Sequence, residues 1–262
     1  MTDILKYEAR QRSRGTLTLI VVLSFYLYVL VYMFPTIASV GDAFDEYVQA
    51  LPDAIVASFG VEAITTIEGF LSVEVYQFIW VLMMGLYFAY LGGDLVAGEI
   101  ESGRIDLILA TPVSRKRFIV EKYLSLLVPI VAINLVMPVV VLAAVISIGE
   151  AMSLVDLVVL HAFSIPYLLL TAAIGLVLSV LFDRSDIPQR AGLGIIFALF
   201  TLESVTANSD FEWLGLFSPT HYFDPTEILV NSEYDVAGAL ILLAAAGTLL
   251  IAAAEWFRRR DV

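Results

Sequence analysis

The sequence predicts an all-helical integral membrane protein with six transmembrane helices and both termini in the cytoplasm. Hydrophobic residues make up 60% of the chain and the mean hydropathy is +0.90, whereas a soluble domain is usually about 45–50% apolar. The apolar runs reach the roughly 20 residues that a helix needs to cross a bilayer. They lack the alternation of barrel strands, so helices remain as the structure that satisfies its backbone hydrogen bonds in lipid.

Six apolar segments are long enough to be membrane spans. We place them at about 16–37, 74–97, 123–148, 157–182, 188–206 and 236–257. The fifth segment is the weakest of the six by this criterion. Since no other part of the sequence has the composition of a separate soluble domain, residues 1–262 are expected to form a single transmembrane domain.

All 14 lysine and arginine residues lie on alternate loops. Basic residues accumulate on cytoplasmic loops, so this segregation predicts the direction of every span. The other three loops carry acidic side chains instead, and an odd number of spans would break the pattern. The basic residues are Lys6, Arg10, Arg12 and Arg14 before the first span, Arg104, Arg115, Lys116, Arg117 and Lys122 between the second and third, Arg184 and Arg190 between the fourth and fifth, and Arg258, Arg259 and Arg260 after the sixth.

The chain is acidic and contains no cysteine. Its net charge is −13, with three lysines against eleven arginines, and an acidic, lysine-poor surface suits high salt. We therefore expect a source among the halophilic archaea, the alternative being an acidic membrane protein of any origin. The absence of cysteine excludes disulfides and cysteine-based metal sites.

Intramembrane enzymes need chemistry that this sequence does not supply. A serine hydrolase needs a nucleophile with a histidine base, but there is no Gly-x-Ser-x-Gly, and the His-Glu-x-x-His of a zinc site is also missing. We interpret His161 as a structural polar residue and His221 as a loop residue. Glu203, Asp94 and Glu255 lie toward the ends of spans, so an ion relay through the bilayer is not expected and energy should come from a partner.

The most informative stretch follows the second span, from Gly98 to Arg117. Ile105, Leu107, Ile108 and Leu109 are apolar and flanked by charges, and Pro112 then breaks the segment before a basic cluster. This pattern predicts a short amphipathic helix at the inner membrane surface, a turn and a basic anchor. Composition alone allows an ordinary membrane-surface loop equally well.

The order of residues in this stretch resembles the signature of ABC transporter permeases of the type 2 exporter family. That signature has an acidic pair, a glycine, a leucine-rich turn and then Pro-Val-Ser-Arg. The start of the chain, with Tyr7-Glu8 and the basic run before Gly15, is similar to the N-terminal surface helix of the family, here about 3–14. Arg104 departs from the family, which often has threonine there. The matching residues are Glu99, Glu101, Gly103, Leu107, Leu109, Pro112, Val113, Ser114 and Arg115.

The resemblance implies a coupling segment at about 99–117 that docks on a separate cytoplasmic ABC ATPase. Its helix would run from Arg104 through Asp106 to Thr111, with Glu99 and Glu101 at the hinge before it. Arg115 and the two basic residues after it would contact lipid headgroups or the ATPase. The residues implied in coupling are thus Glu99, Glu101, Gly103, Arg104, Asp106, Leu107, Leu109, Pro112 and Arg115.

The resemblance also implies a multi-pass plasma-membrane permease that pairs with a second permease subunit, identical or different, and exports an unidentified substrate. Tyr87 and Phe88 would line its path.

The chain has no Gly-x-x-x-x-Gly-Lys-Ser/Thr motif to hold phosphates. ATP and Mg²⁺ would therefore bind the partner ATPase, and this chain is expected to have no cofactor, no catalytic activity of its own and no nucleic-acid partner. Two alternatives stay open, a membrane assembly or maturation factor with the same fold and an intramembrane hydrolase.

Overall fold

The structure is a computed structural model that describes residues 3–39, 66–110, 113–207 and 209–260. Every regular element in these ranges is a helix, which confirms the all-helical prediction. The helices are α1 (Asp3–Ala38), α2 (Ile67–Leu71), a π-helical segment (Ser72–Met84), α3 (Gly85–Asp94), α4 (Ala97–Glu101), α5 (Arg104–Leu109), α6 (Arg115–Leu124), α7 (Leu127–Ser147), α8 (Leu154–Ser179), α9 (Asp186–Thr206), two 3₁₀ turns (Glu212–Phe217 and Pro219–Tyr222), α10 (Pro225–Leu229) and α11 (Val236–Arg259).

Helix α1 joins two segments that the sequence treats separately. The surface helix expected at about 3–14 and the span expected at about 16–37 form one helix of 36 residues, about 54 Å long at 1.5 Å per residue. Gly15 does not interrupt it, and the space where a side chain would stand at this position is open. The N-terminal part therefore extends well beyond the thickness of a bilayer.

Five helical stretches within the described residues are long and apolar enough to cross a membrane. They are Tyr7–Ala38, Ile67–Asp94, Arg115–Ser147, Leu154–Ser179 and Val236–Arg259. The remaining predicted span, about 188–206, is helical in α9. It is less apolar than the five because Gln189, Arg190 and Glu203 interrupt its hydrophobic residues.

The second span begins earlier than its sequence suggests. Thr66 caps the first turn, because its hydroxyl accepts a hydrogen bond from the Gly69 amide at 3.1 Å. From there the helix runs through the 13-residue π-helical segment into α3. Extended π-helix is rare in proteins and is found mostly at functional positions.

Helices α3 and α8 touch backbone to backbone at the centre of the bundle. A side-chain carbon added at Gly92 would lie 2.1 Å from the Ala172 carbonyl oxygen, and one added at Gly175 would lie 2.1 Å from the Ala89 carbonyl oxygen. Only glycine fits at these two positions. Small residues at such contacts let membrane helices approach closely, so this pair forms the rigid centre against which α9 and α11 also pack.

A buried polar network joins the π-helical segment, α7 and α8. The Tyr76 hydroxyl donates to His161 Nε2 at 3.0 Å, and His161 Nδ1 donates to Asn134 Oδ1 at 2.8 Å, with the tautomer assigned from these partners. The Ser164 hydroxyl donates to the same Asn134 oxygen at 2.7 Å. The histidine thus acts as an interhelical hydrogen-bonding group.

The four basic segments of the chain meet at one end of the bundle. The contacts that join them are Glu8 with Lys122, Glu101 with Ser185, Lys116 with Glu255, and Arg260 with the Val180 carbonyl. At the opposite end, Asp156 accepts hydrogen bonds from Ser232 and Tyr234 just before α11 begins. The start of α1 and the end of α11 therefore lie at the same end.

Candidate functional site

The chain leaves the second span through a fixed turn. Residues Leu95 and Val96 separate α3 from α4, and the fully buried hydroxyl of Ser179, the last residue of α8, accepts hydrogen bonds from two amides there. The distances are 3.0 Å from Val96 N and 2.9 Å from Ala97 N. Since these amides begin a new helix, one side chain of the central helix α8 sets the direction in which α4 departs.

Helices α4 and α5 form a short two-helix element that projects from the bundle. Gly103 lies in the turn between them with φ of +68°, a conformation that glycine adopts without strain. In α5 the side chain of Ile105 is buried, whereas Asp106 is exposed and Leu107 is 73% exposed. Ile105 thus faces the protein, while Leu107 faces outward beside Asp106. The side chains of Ile108 and Leu109, and Thr111 and Pro112 entirely, lie outside the described part of the chain, so the amphipathic pattern of the whole segment stays a prediction.

Glu99 on α4 is held from two sides. One carboxylate oxygen accepts a hydrogen bond from Arg104 Nε at 2.9 Å, and the other accepts one from Lys122 Nζ at 2.6 Å. Lys122, only 3% exposed at its side chain, donates equally to Glu8 of α1 at 2.6 Å. One buried ammonium thus lies between two buried carboxylates and ties α4 to both α1 and α6.

The surroundings of Glu99 keep it ionised. Burial alone would raise the pKa of this carboxyl, but hydrogen bonds and charge from Arg104 and Lys122 outweigh it and the pKa is lowered. A polar cavity of about 120 Å³ borders the cluster. It is lined by Glu8, Gln11, Arg12, Asp94, Leu95, Glu99, Arg104 and Lys122.

Glu101, two residues further on, makes a separate connection. Its carboxylate accepts hydrogen bonds from the backbone amide of Ser185 at 2.9 Å and from the Ser185 hydroxyl at 2.7 Å. These bonds, the backbone one first, lower the pKa of Glu101. Ser185 is the residue before α9. The two acidic residues of α4 therefore connect to different helices, Glu99 to α1 and α6 and Glu101 to α9.

The basic cluster after α5 is anchored to the end of the chain. The Arg115 guanidinium donates to the carbonyl oxygen of Arg260 and lies 5.8 Å from the centre of the Phe257 ring. Lys116 Nζ lies 2.8 Å from a Glu255 carboxylate oxygen. The element between the second and third spans is thus fixed at its start by Glu99 and Glu101 and at its end by α11.

Of the residues that the resemblance implies in coupling, Glu99 and Arg104 contact each other. Glu101 and Arg115 contact other parts of the chain, Ser185 and Arg260 respectively. Sequence reasoning missed Ser179, Ser185 and the role of Lys122. One signal was present, since Lys122 is a lysine beside the long apolar run that begins at Tyr123. Tyr87 is half-buried, but Phe88 is fully buried in the core of the subunit, with ring centres 5.3 Å apart.

A comparison with protein families gives a match over nearly the whole chain. A sequence model described as ABC-2 family transporter protein matches residues 2–262. The chain belongs to the ABC-2 transporter family. A comparison with curated proteins gives no significant match. The ABC-2 assignment makes this chain a multi-pass membrane protein and a permease component of an ABC transporter, that is, a transport component rather than an enzyme by itself.

ABC-2 permeases typically work with an ABC ATPase. The geometry offers such a partner one clear feature, the two-helix element α4–α5 with its exposed Asp106 and Leu107. Within the described residues, no group of three or more histidine or acidic side chains is placed to hold a metal ion. The ion pairs and hydrogen bonds of Glu99 and Glu101 connect this element to α1, α6 and the start of α9.

Proposed function

We propose that this chain is the membrane-spanning permease subunit of an ATP-driven exporter and that a separate cytoplasmic ABC ATPase docks on α4–α5. The observation that carries the proposal is the projecting helix α5, which exposes Leu107 while its base is held by buried ion pairs. An exposed apolar side chain on a rigidly anchored helix is suited to a protein contact. ATP and Mg²⁺ bind the ATPase in this proposal, and the permease itself needs no cofactor.

The contacts of α4 explain how a movement of the ATPase reaches the membrane. A displacement of α5 moves α4, because only a two-residue turn separates the two helices. Glu99 transmits it through Lys122 to α6 and through the same ammonium to Glu8 of α1. Glu101 transmits it to the start of α9. One push therefore acts on several helices together, and we propose that this opens the far end of the transporter and releases substrate outward.

Six spans with cytoplasmic ends, in the plasma membrane, complete this proposal. The start of α1 and the end of α11 share one end of the bundle, which requires an even number of crossings. Within the described residues five helical stretches are apolar enough to cross, and α9 would be the sixth crossing that makes the number even. The basic residues concentrate at the shared end, and such residues favour the cytoplasmic side.

A second permease subunit, identical or different, would complete the path. Helix α9 presents Phe197 and Val205 away from the subunit core, and α1 presents Phe25 and Tyr32. Tyr87 is the residue that we retain as a path-lining candidate, because Phe88 lies in the core. We also propose a halophilic archaeal source on the basis of the net charge of −13. Purified protein that stays folded and monodisperse only in dilute salt would contradict that origin.

The proposal is tested by capture of the tagged protein from its own membranes in mild detergent and high salt, with mass spectrometry of the proteins retained. We expect a stoichiometric soluble protein with a phosphate-binding loop. With that ATPase in hand, Leu107→Ala should reduce its association on the order of tenfold, the effect of a central interface residue. Glu101→Ala removes the acceptor of the Ser185 hydrogen bonds and should uncouple ATP hydrolysis from transport.

A matched control is Leu135→Ala, because Leu135 is as exposed as Leu107 but lies in α7. This variant should behave like the unmodified protein. Two results would overturn the proposal. One is an intact permease that retains no ATPase under these conditions, and the other is full coupling in both Leu107→Ala and Glu101→Ala.

A further inference from the structure

A groove at the basic end of the bundle lies between the start of α1 and helix α6. Its volume is about 590 Å³, and it lies beside the proposed coupling path, of which α6 is one helix. One wall is apolar and the rim is charged. The lining residues are Leu5, Val120 and Leu124 on the apolar wall, and Ser114, Lys116, Arg117 and Glu121 toward the rim.

The charged and apolar parts of the groove follow one another along α6. Lys116 and Arg117 precede Leu124 by eight and seven residues, so they lie about 10–12 Å from it along the helix axis. Leu124 is the last residue of α6 and adjoins α7, the apolar part of the span Arg115–Ser147. The rim cations therefore lie on the polar side of the apolar wall, and the wall leads toward the apolar part of the span.

The rim can accept an anion. The side chains of Lys116 and Arg117 are 55% and 52% exposed, and each makes one ion pair, with Glu255 and Glu121 respectively, at 2.8 Å. An ammonium has three hydrogen-bond donors and a guanidinium has five. An ion pair with one carboxylate therefore leaves donors on each cation that can bind a second anion. The cation of each pair is more than half exposed, so a phosphate can share it with the carboxylate.

We infer that this groove binds an anionic phospholipid of the adjoining leaflet, with its phosphate on Lys116 and Arg117 and an acyl chain along Leu5, Val120 and Leu124. The order of charged rim and apolar wall matches the order of phosphate and chain in a lipid. Lys116, Arg117 and Glu121 give the lining a net charge of +1, which favours anionic headgroups on a chain whose net charge is −13. The inference depends on α6–α7 entering the membrane and is independent of the proposed ATPase.

The test compares lipid binding to purified protein in detergent, with phosphatidylglycerol against phosphatidylcholine. Native mass spectrometry counts retained lipid, and thermal unfolding reports stabilisation at increasing lipid. Phosphatidylglycerol should bind more tightly than phosphatidylcholine. The double variant Lys116→Gln, Arg117→Gln should weaken phosphatidylglycerol binding on the order of tenfold, since each basic residue contributes severalfold to binding of anionic lipid.

The charge-matched control is the double variant Arg184→Gln, Arg190→Gln. It removes two exposed arginines from the same end of the bundle but outside the groove, and it should bind lipid as the unmodified protein does. Val120→Trp fills the apolar wall and leaves both cations, so it should also weaken phosphatidylglycerol binding.

Three outcomes would overturn the inference. The first is an equal loss of phosphatidylglycerol binding in the two double variants, which would indicate that the lipid is attracted by general charge. The second is unchanged phosphatidylglycerol binding in both Lys116→Gln, Arg117→Gln and Val120→Trp. The third is stabilisation by inorganic phosphate equal to that by phosphatidylglycerol, which would show a simple anion site in place of a lipid site.

Discussion

Lys122 donates a hydrogen bond to Glu99 at 2.6 Å where both side chains are almost completely removed from solvent. The two residues are 23 positions apart, on opposite sides of the element that follows the second span. Charges in such a place are stable only when they are paired with good geometry. The pair therefore fixes where α4 and α6 stand relative to each other, and Glu8 adds α1 to the same contact.

The first prediction concerns the variant Lys122→Met. It keeps most of the side-chain volume but leaves the carboxylates of Glu8 and Glu99 buried without their shared cation. Removal of one partner from a buried ion pair costs about 3–5 kcal/mol, so we expect a marked fall in the free energy of unfolding, measured by denaturant or thermal unfolding in detergent. Arg184→Gln, which alters an exposed pair, is the control and should change stability by less than about 1 kcal/mol. Equal stability of the two variants would contradict a structural role for the Lys122 cluster.

The second prediction follows from the lowered pKa of Glu99, whose ordinary value is 4.5. A carboxyl with a lower pKa in the folded state stabilises the fold fully above its unfolded pKa, and this contribution is lost as the pH falls through the folded value. Stability of the unmodified protein should therefore fall as the medium is acidified below about pH 4.5. In Glu99→Gln the fall should be shallower, and the two unfolding curves should converge at low pH. Parallel curves would show that Glu99 is not held as an anion.

The class of fold could be predicted because it depends on local composition. Apolar runs of membrane length and the alternation of basic loops are visible within short windows, and the helices appear where those windows place them. Bounds were harder. The second span starts at Ile67 rather than at Glu74, because acidic side chains at its outer end lower the apolarity of a segment that Thr66 nevertheless caps as helix.

Two features escaped prediction because they depend on distant parts of the chain. The apolar pattern shows that α3 and α8 are buried, but it does not show that Gly92 meets Ala172 across the bundle. In the same way, the stretch after Gly98 predicts an amphipathic helix, whereas its anchors at Lys122 and Ser179 depend on how the spans pack. Local periodicity indicates which face is buried and not which helix covers it.

The third prediction concerns Ser179→Ala at the turn between α3 and α4. The variant leaves two buried amides, those of Val96 and Ala97, without their acceptor. Unmade buried hydrogen bonds cost about 1–3 kcal/mol, and the loss should be local. Hydrogen exchange at residues 95–98 should become faster, and permease-dependent ATP hydrolysis should become less tightly linked to transport.

Ser147→Ala is the control for this experiment, because among the described residues the Ser147 hydroxyl bonds within its own helix, to the Ala144 carbonyl. Its hydrogen exchange at 95–98 should match that of the unmodified protein. Unchanged exchange in Ser179→Ala would show that the turn keeps its direction without the buried hydroxyl.

The fourth prediction concerns the backbone contact between α3 and α8. In Gly92→Ala or Gly175→Ala the added methyl group would lie 2.1 Å from a carbonyl oxygen, and backbone atoms cannot move aside as a flexible side chain can. Overpacking usually costs about 1–3 kcal/mol, so these variants should reach or exceed the upper end of that range and lose folded protein in detergent.

Gly247→Ala in α11 is the matched control, because nothing among the described residues lies within 4 Å of the added atom. Alanine is the better helix former by about 1 kcal/mol, so this control should be as stable as the unmodified protein or slightly more so. If all three variants were as stable as the unmodified protein or slightly more so, helix propensity alone would describe these glycines and the close approach of α3 to α8 would be refuted.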